Sequence, residues 1–316
     1  FGDKVTCGSW KDIWLNEGFA TYLASMVIEQ FDGAAAFVSD KNSMISYITS
    51  AAGGAVYLTD AEATNVNRIF SSRLSYNKGA MVLEMLRWKM GDTAFFQALR
   101  NYLDDPNYTY AYAVTPNLQS KLEAVYGSSL QEFFNDWVYN QGYPKYTITA
   151  QNIGGGQTKF VVNQTQSHTS VSYFEMPVPV RVFGAGGLQQ DIVLNNTSNG
   201  QIIIQNIPFT VTSMTFDPDK HLISKSNVVT VLPNLSIDEV ALSDKISISP
   251  NPTSDYLNIN GLDTIAYDNI SIYTMLGQKV LETKEKSISV SQLSSGIYSI
   301  SVQTELGVLT KKFIKN

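Results

Sequence analysis

Histidine and cysteine are nearly missing from this chain. Its 316 residues hold one cysteine, Cys7, and two histidines, His168 and His221. A single cysteine excludes an internal disulfide framework, and a thiol nucleophile at Cys7 would have no histidine near it in sequence; a small buried residue is expected there. The two histidines lie far apart, in a β-rich region, with neither an i, i+4 partner nor a flanking carboxylate motif. Metal sites need clustered ligands, so both are expected to be surface or strand-end residues. Charge is sparse too: charged residues make up 16% and the net charge is −6. No basic stripe appears, which argues against a nucleic-acid partner. No run reaches the roughly eighteen apolar residues of a membrane-spanning helix, so no transmembrane segment is expected. The chain starts at Phe1 without Met or a signal peptide, and truncation is the expected reason.

What is present changes period along the chain. Up to about Pro144 the apolar residues recur at helical spacing. Asn16-Glu17 opens a helix from Phe19 to Phe31, with Asn16 as candidate N-cap. Further helices are expected after Tyr76, over Thr93 to Leu103, from Thr115 as cap and Pro116 as first helical residue to Gly127, and over Leu130 to Tyr139. From Tyr146 the period becomes two, in short β-branched runs such as 146–150, 159–162, 178–183 and 201–204, which predicts an antiparallel sandwich. Residues 224–245 lack periodicity and read as a linker. A last all-β region follows. The fold class expected is thus multidomain α + β: helical 1–144, a β-sandwich at 145–223, a linker at 224–245 and a small all-β domain at 246–316.

Two motifs carry the chemistry. The run from Phe1-Gly2-Asp3-Lys4-Val5-Thr6-Cys7 through Trp14-Leu15-Asn16-Glu17-Gly18-Phe19-Ala20-Thr21-Tyr22 closely resembles the aminopeptidase N family of zinc peptidases, the gluzincins. In that family a helix bearing His-Glu-x-x-His supplies two zinc ligands and a later Glu the third. The resemblance implies that Glu17 is this third metal ligand, and the family spacing puts the histidine helix upstream of Phe1. Ser75-Tyr76-Asn77-Lys78-Gly79-Ala80 also matches the family, and implies that the Tyr76 hydroxyl donates to the developing oxyanion, as a neutral donor should. Gly2, Asp3, Asn16 and Lys78 are expected to shape the site. The implied activity is that of a secreted zinc-dependent metallopeptidase, most specifically an aminopeptidase acting on peptide substrates, with one catalytic Zn2+. The 316-residue chain alone is expected to be inactive and to bind zinc poorly.

The tail is equally distinctive. Ser249-Pro250-Asn251-Pro252, Met275-Leu276-Gly277-Gln278, Gly296-Ile297-Tyr298 and Lys311-Lys312-Phe313-Ile314-Lys315 resemble, over residues 246–316, the C-terminal sorting domain of proteins exported by the type IX secretion system of Bacteroidota. That implies a partner in the secretion machinery and an extracellular or outer-surface location. An accessory carbohydrate-binding or immunoglobulin-like module would share the strand period. For the whole protein, a catalytically dead surface module that binds peptides or mediates adhesion is the competing expectation, and an epoxide-hydrolysing relative would keep the zinc.

Overall fold

The computed structural model describes residues 1–233, 245–304 and 307–316. The chain divides into two compact units: residues 1–150 with 159–232, and residues 151–158 with the described part of 233–316.

The first unit is built around helices. α1 (Trp14–Asp32) buries Trp14, Leu15, Gly18, Phe19, Tyr22 and Ser25, the i, i+4, i+8 stripe of a helix with one face inward. It ends at Gly33, whose positive φ of 89° turns the chain into α2 (Ala34–Ile48). α3 (Val66–Ile69) is capped by the Asn65 side chain, which accepts from the Arg68 N–H. A π-helical segment, Ser72–Lys78, runs directly into α4 (Gly79–Met90). Every residue of α4 from Gly79 to Leu86 is buried, marking it as the central helix. α5 (Asp92–Leu103), α6 (Thr115–Tyr126) and α7 (Gln131–Phe134), which continues as a second π-helical segment over Asn135–Tyr139, complete the helical part. A short parallel pair, β1 (Val5–Cys7) and β2 (Ala111–Ala113), ties the start of the chain to the segment before α6.

Two expected boundaries move. α1 begins at Trp14 after a 3-10 turn at Trp10–Asp12, so Asn16 lies inside the helix and is not its cap. Its side-chain oxygen accepts instead from the Cys7 N–H at 3.0 Å. Thr115 is the first residue of α6, with Val114 before it, while Gly127 closes the helix in the left-handed conformation as expected.

Strands follow the helices, in the same unit except for residues 151–158. β3 (Pro144–Gly154), β4 (Gln157–Gln166), β5 (Met176–Phe183), β6 (Gln189–Asn196), β7 (Gln201–Asn206), β8 (Ser213–Phe216) and β9 (Val228–Val231) form sheets ordered β7-β4-β3-β9 and β6-β5-β8. Alternation places Tyr146, Ile148, Ala150, Phe160 and Val162 inward. These residues share one hydrophobic cluster with the helices. Trp88 of α4 donates from Nε1 to the Pro177 carbonyl at 2.7 Å, and Trp137 packs on Phe174 at 4.5 Å between centroids. The linker expected at 224–245 meets a structured start: β9 pairs in parallel with β3 from Thr147↔Val228 to Ala150↔Val231. Three valines in four residues make that strand, and the polar residues around it hid its period. Residues 234–244 of the expected linker lie outside the described residues.

The second unit carries β10 (Ser247–Ser249), β11 (Tyr256–Asn260), β12 (Tyr267–Thr274), β13 (Lys279–Thr283), β14 (Ser287–Ser289), β15 (Gly296–Thr304) and β16 (Gly307–Lys315). They form a three-stranded sheet, β10-β11-β14, and a four-stranded one, β13-β12-β15-β16. Leu257, Ile259, Ile270, Ile272, Ile288, Val290, Ile300, Val302, Leu309 and Phe313 close a core of their own.

Candidate active site

Two glycines decide where the predicted site residues meet. Gly18 on α1 and Gly79 at the start of α4 are both buried, and the helices touch backbone to backbone there. A Cβ on Gly18 would stand 2.9 Å from the Gly79 carbonyl carbon, and one on Gly79 would stand 3.1 Å from the Gly18 Cα. Their neighbours, Glu17 and the π segment holding Tyr76, are thereby brought side by side. The π segment matters because its wider turn re-aims side chains, a form of helix frequent at functional positions.

Glu17 and Tyr76 are both half-buried. Burial raises the pKa of the Tyr76 phenol, and the Glu17 carboxylate, which pairs with its hydroxyl, raises it further. Tyr76 therefore remains a neutral hydroxyl beside the Glu17 carboxylate.

Behind this pair the π segment is strapped down. Lys78 is fully buried, donates to the Gly54 carbonyl at 2.8 Å, and has its pKa pushed down to about 7 by burial and the nearby Arg73 and Arg68. Arg73 donates to the carbonyls of Ile48 and Gly53 at 3.0 Å, and Gln141 accepts from the Gly54 N–H at 2.9 Å. Gly54 has φ of +110°, and a Cβ there would lie 2.7 Å from Leu74. In front, Thr6 donates to the Gly2 carbonyl at 2.7 Å, and Asn16 holds Cys7. Asp3 is exposed. Burial followed by the charge of Asp12 raises the Cys7 thiol pKa, which disfavours a nucleophilic thiolate.

Two buried networks support the frame and escaped the sequence reading. Asp12 accepts from the Thr115 N–H and hydroxyl at 2.8 and 2.7 Å, and Trp14 donates to the Thr115 oxygen at 3.0 Å. These bonds pin the start of α1 to α6. Deeper in, Glu84 receives Tyr22 Oη at 2.6 Å, Lys41 Nζ at 2.6 Å and lies 2.8 Å from His221 Nδ1. Burial pushes the Glu84 carboxyl up, but His221, Lys41 and Tyr22 outweigh it and hold it at about 2. The expectation for His221 is thus corrected. It is no free surface histidine: it stacks on Trp88 at 4.3 Å and reaches a buried carboxylate. His168 is half-buried, with Nδ1 3.0 Å from the Ser170 hydroxyl.

A hydrolytic zinc site takes three protein ligands. Among the described residues no group of three or more His, Cys, Asp or Glu side chains stands ready to hold a metal. Glu17 offers one carboxylate of the right chemistry and, among the described residues, belongs to no such group of three.

Residues 1–137 match the peptidase family M1 domain, and residues 247–316 match the secretion system C-terminal sorting domain. The M1 family is zinc-dependent. Among curated relatives, aminopeptidase M1-C of Oryza sativa subsp. japonica is 30% identical over 52% of this chain and 19% of its own length. Aminopeptidase M1-D of the same plant is 32% identical over 46% of this chain and 17% of its own. The chain thus spans about a fifth of the length of these relatives. The fold is similar to that of Legionella pneumophila aminopeptidase A, solved in complex with aspartic acid, at a TM-score of 0.54 and 15% identity over 72% of this chain and 25% of that one. No helix among the described residues is long and apolar enough to cross a membrane. The sorting domain indicates export through the outer membrane to the cell surface or the exterior. Residues 1–137, which hold Glu17, Tyr76 and the two glycines, thus match the peptidase M1 family domain, and residues 247–316 match a secretion-system sorting domain.

Proposed function

We propose that this chain belongs to a secreted zinc-dependent aminopeptidase in which Glu17 is a metal ligand and Tyr76 the oxyanion donor. The observation that carries this reading is the close Gly18–Gly79 contact, which brings Glu17 beside the Tyr76 segment inside the stretch matched to the M1 family. Bound zinc would supply a Lewis acid and a water of lowered pKa. This chain's own share is narrower. Glu17 contributes one carboxylate, and Tyr76 offers a neutral hydroxyl whose hydrogen bond strengthens as negative charge builds on an oxygen before it. Lys78, through Gly54, and the Gly18–Gly79 contact keep the pair in register. The substrate is a peptide, and its amino-terminal specificity rests on the M1 relatives alone.

Since no group of three ligands forms among the described residues, the 316-residue polypeptide itself is inactive on this reading. Purified chain should show no chelator-sensitive cleavage of aminoacyl substrates and no stoichiometric zinc by elemental analysis. Chelator-sensitive cleavage by that same material would refute the ligand assignment. The competing reading is a surface-displayed module without catalysis. It predicts that extending the chain upstream through its coding sequence restores neither zinc nor hydrolysis.

A further inference from the structure

The four-stranded sheet of the second unit has an outer face that changes character along its length. Away from its end that face is polar, with Ser299 and Ser301 on β15 opposite Lys312 and Thr310 on β16. At the end it turns apolar. Ile297 of β15 pairs with Ile314 of β16, and both are exposed, by 53% and 44%. Thr274 of β12 pairs with Tyr298, so the next residue, Met275, comes level with Ile297 and is 54% exposed. Leu276, at the tip of the β12–β13 turn, is 97% exposed. The result is an apolar row crossing three strands and capped by an unshielded leucine, an arrangement that soluble surfaces seldom leave bare.

The next row inward is basic and polar. Tyr273 pairs with Lys279 on one side and with Ser299 on the other, and Ser299 pairs with Lys312. Lys279 is paired with Glu282 on its own strand, an exposed ion pair of small value. Lys312 has no carboxylate partner among the described residues and stands in solvent. Nothing in folding requires this end to be apolar, because the unit's core lies on the other face with Tyr298, Ile300, Val302 and Phe313.

We propose that the row Met275, Leu276, Ile297 and Ile314, backed by Lys312 and Lys279, is the surface by which a protein component of the secretion machinery holds this domain. The inference rests on the sorting-domain reading of residues 247–316. The partner is a cleft lined by apolar side chains with carboxylates on its rim: Leu276 enters the cleft and the lysines meet the rim, the division of labour found in protein interfaces with an apolar centre and a charged border.

The test is export of the full chain from a cell that carries the secretion system, measured as the immunoblot ratio of exterior to periplasmic protein. Leu276→Asp and the double variant Met275→Ser with Ile297→Ser should each lower that ratio at least tenfold, and Lys312→Glu several-fold. Circular dichroism melts on the purified variants should keep the transition of the second unit, since the changed side chains lie outside its core. Export unchanged in folded Leu276→Asp would overturn the proposal. Deleting residues 246–316 separates the two levels: if the deletion is retained while Leu276→Asp is exported, the surface assignment alone fails, whereas export of the deletion overturns the sorting reading as well. Binding of the wild-type chain to anionic phosphatidylglycerol vesicles, abolished by Leu276→Asp, would also overturn it in favour of a lipid partner.

Discussion

At the residue scale, buried charge in the first unit has measurable consequences of opposite sign. Glu84 titrates at about 2 when folded and near 4.3 when unfolded, a depressed acid. Its contribution to stability is complete above the unfolded value and is lost as pH falls from about 5 toward 2. Lys41→Met removes one partner of a buried pair and should cost about 3–5 kcal/mol at neutral pH. Urea unfolding of the variant measures this, and a loss below 1 kcal/mol would show that Tyr22 and His221 suffice. Lys78 is a depressed base, near 7 folded against about 10.4 unfolded. The unfolded chain binds more protons between those values, so stability should rise with pH from about 7 to 10. Lys78→Met should flatten that slope, as read from urea midpoints across the range; an unchanged slope would contradict the buried-cation account.

At the scale of elements, the contact of α1 with α4 controls the site. Gly18→Ala forces a methyl to 2.9 Å from backbone that cannot yield, so the helices must separate. Overpacking of that kind costs about 1–3 kcal/mol. The expected result is a lower melting temperature together with loss of the Glu17–Tyr76 pairing, visible as a Tyr76 phenol titrating closer to its free value. A stable variant with that pairing intact would show that the glycines serve another end. This contact was beyond sequence reasoning: Glu17 and Tyr76 stood out by their motifs, while the reason for glycine beside each appears only when two distant helices cross. The same holds for His221 and Glu84, 137 positions apart and joined by a loop after β8. Asn16 misled because its side chain has the chemistry of a cap, yet the 3-10 turn at Trp10–Asp12 starts the helix earlier. Helical stripes and period-two strands were legible because burial of one face dictates them. β9 was not, since a four-residue strand has too few alternations to stand out.

At the scale of the whole molecule, two hydrophobic cores follow the two units. The helices and the β3–β9 sheets share the first, so they should unfold together. Scanning calorimetry is expected to resolve two transitions, with tail substitutions moving only the smaller one. A single two-state transition for the entire chain would contradict independent cores. The M1 match lies in the first unit and the sorting-domain match in the second.

The central claim is that Glu17 and Tyr76 are parts of one metallopeptidase site. Its most direct test is zinc stoichiometry measured alongside hydrolysis of an aminoacyl substrate, in the chain extended upstream through its own coding sequence and in its Glu17→Gln and Tyr76→Phe variants. Glu17→Gln should lose bound zinc and activity together, while Tyr76→Phe should keep zinc and lose about 10²–10³-fold in kcat, as removal of one oxyanion donor does. Full zinc occupancy in Glu17→Gln, or undiminished kcat in Tyr76→Phe, would contradict the account.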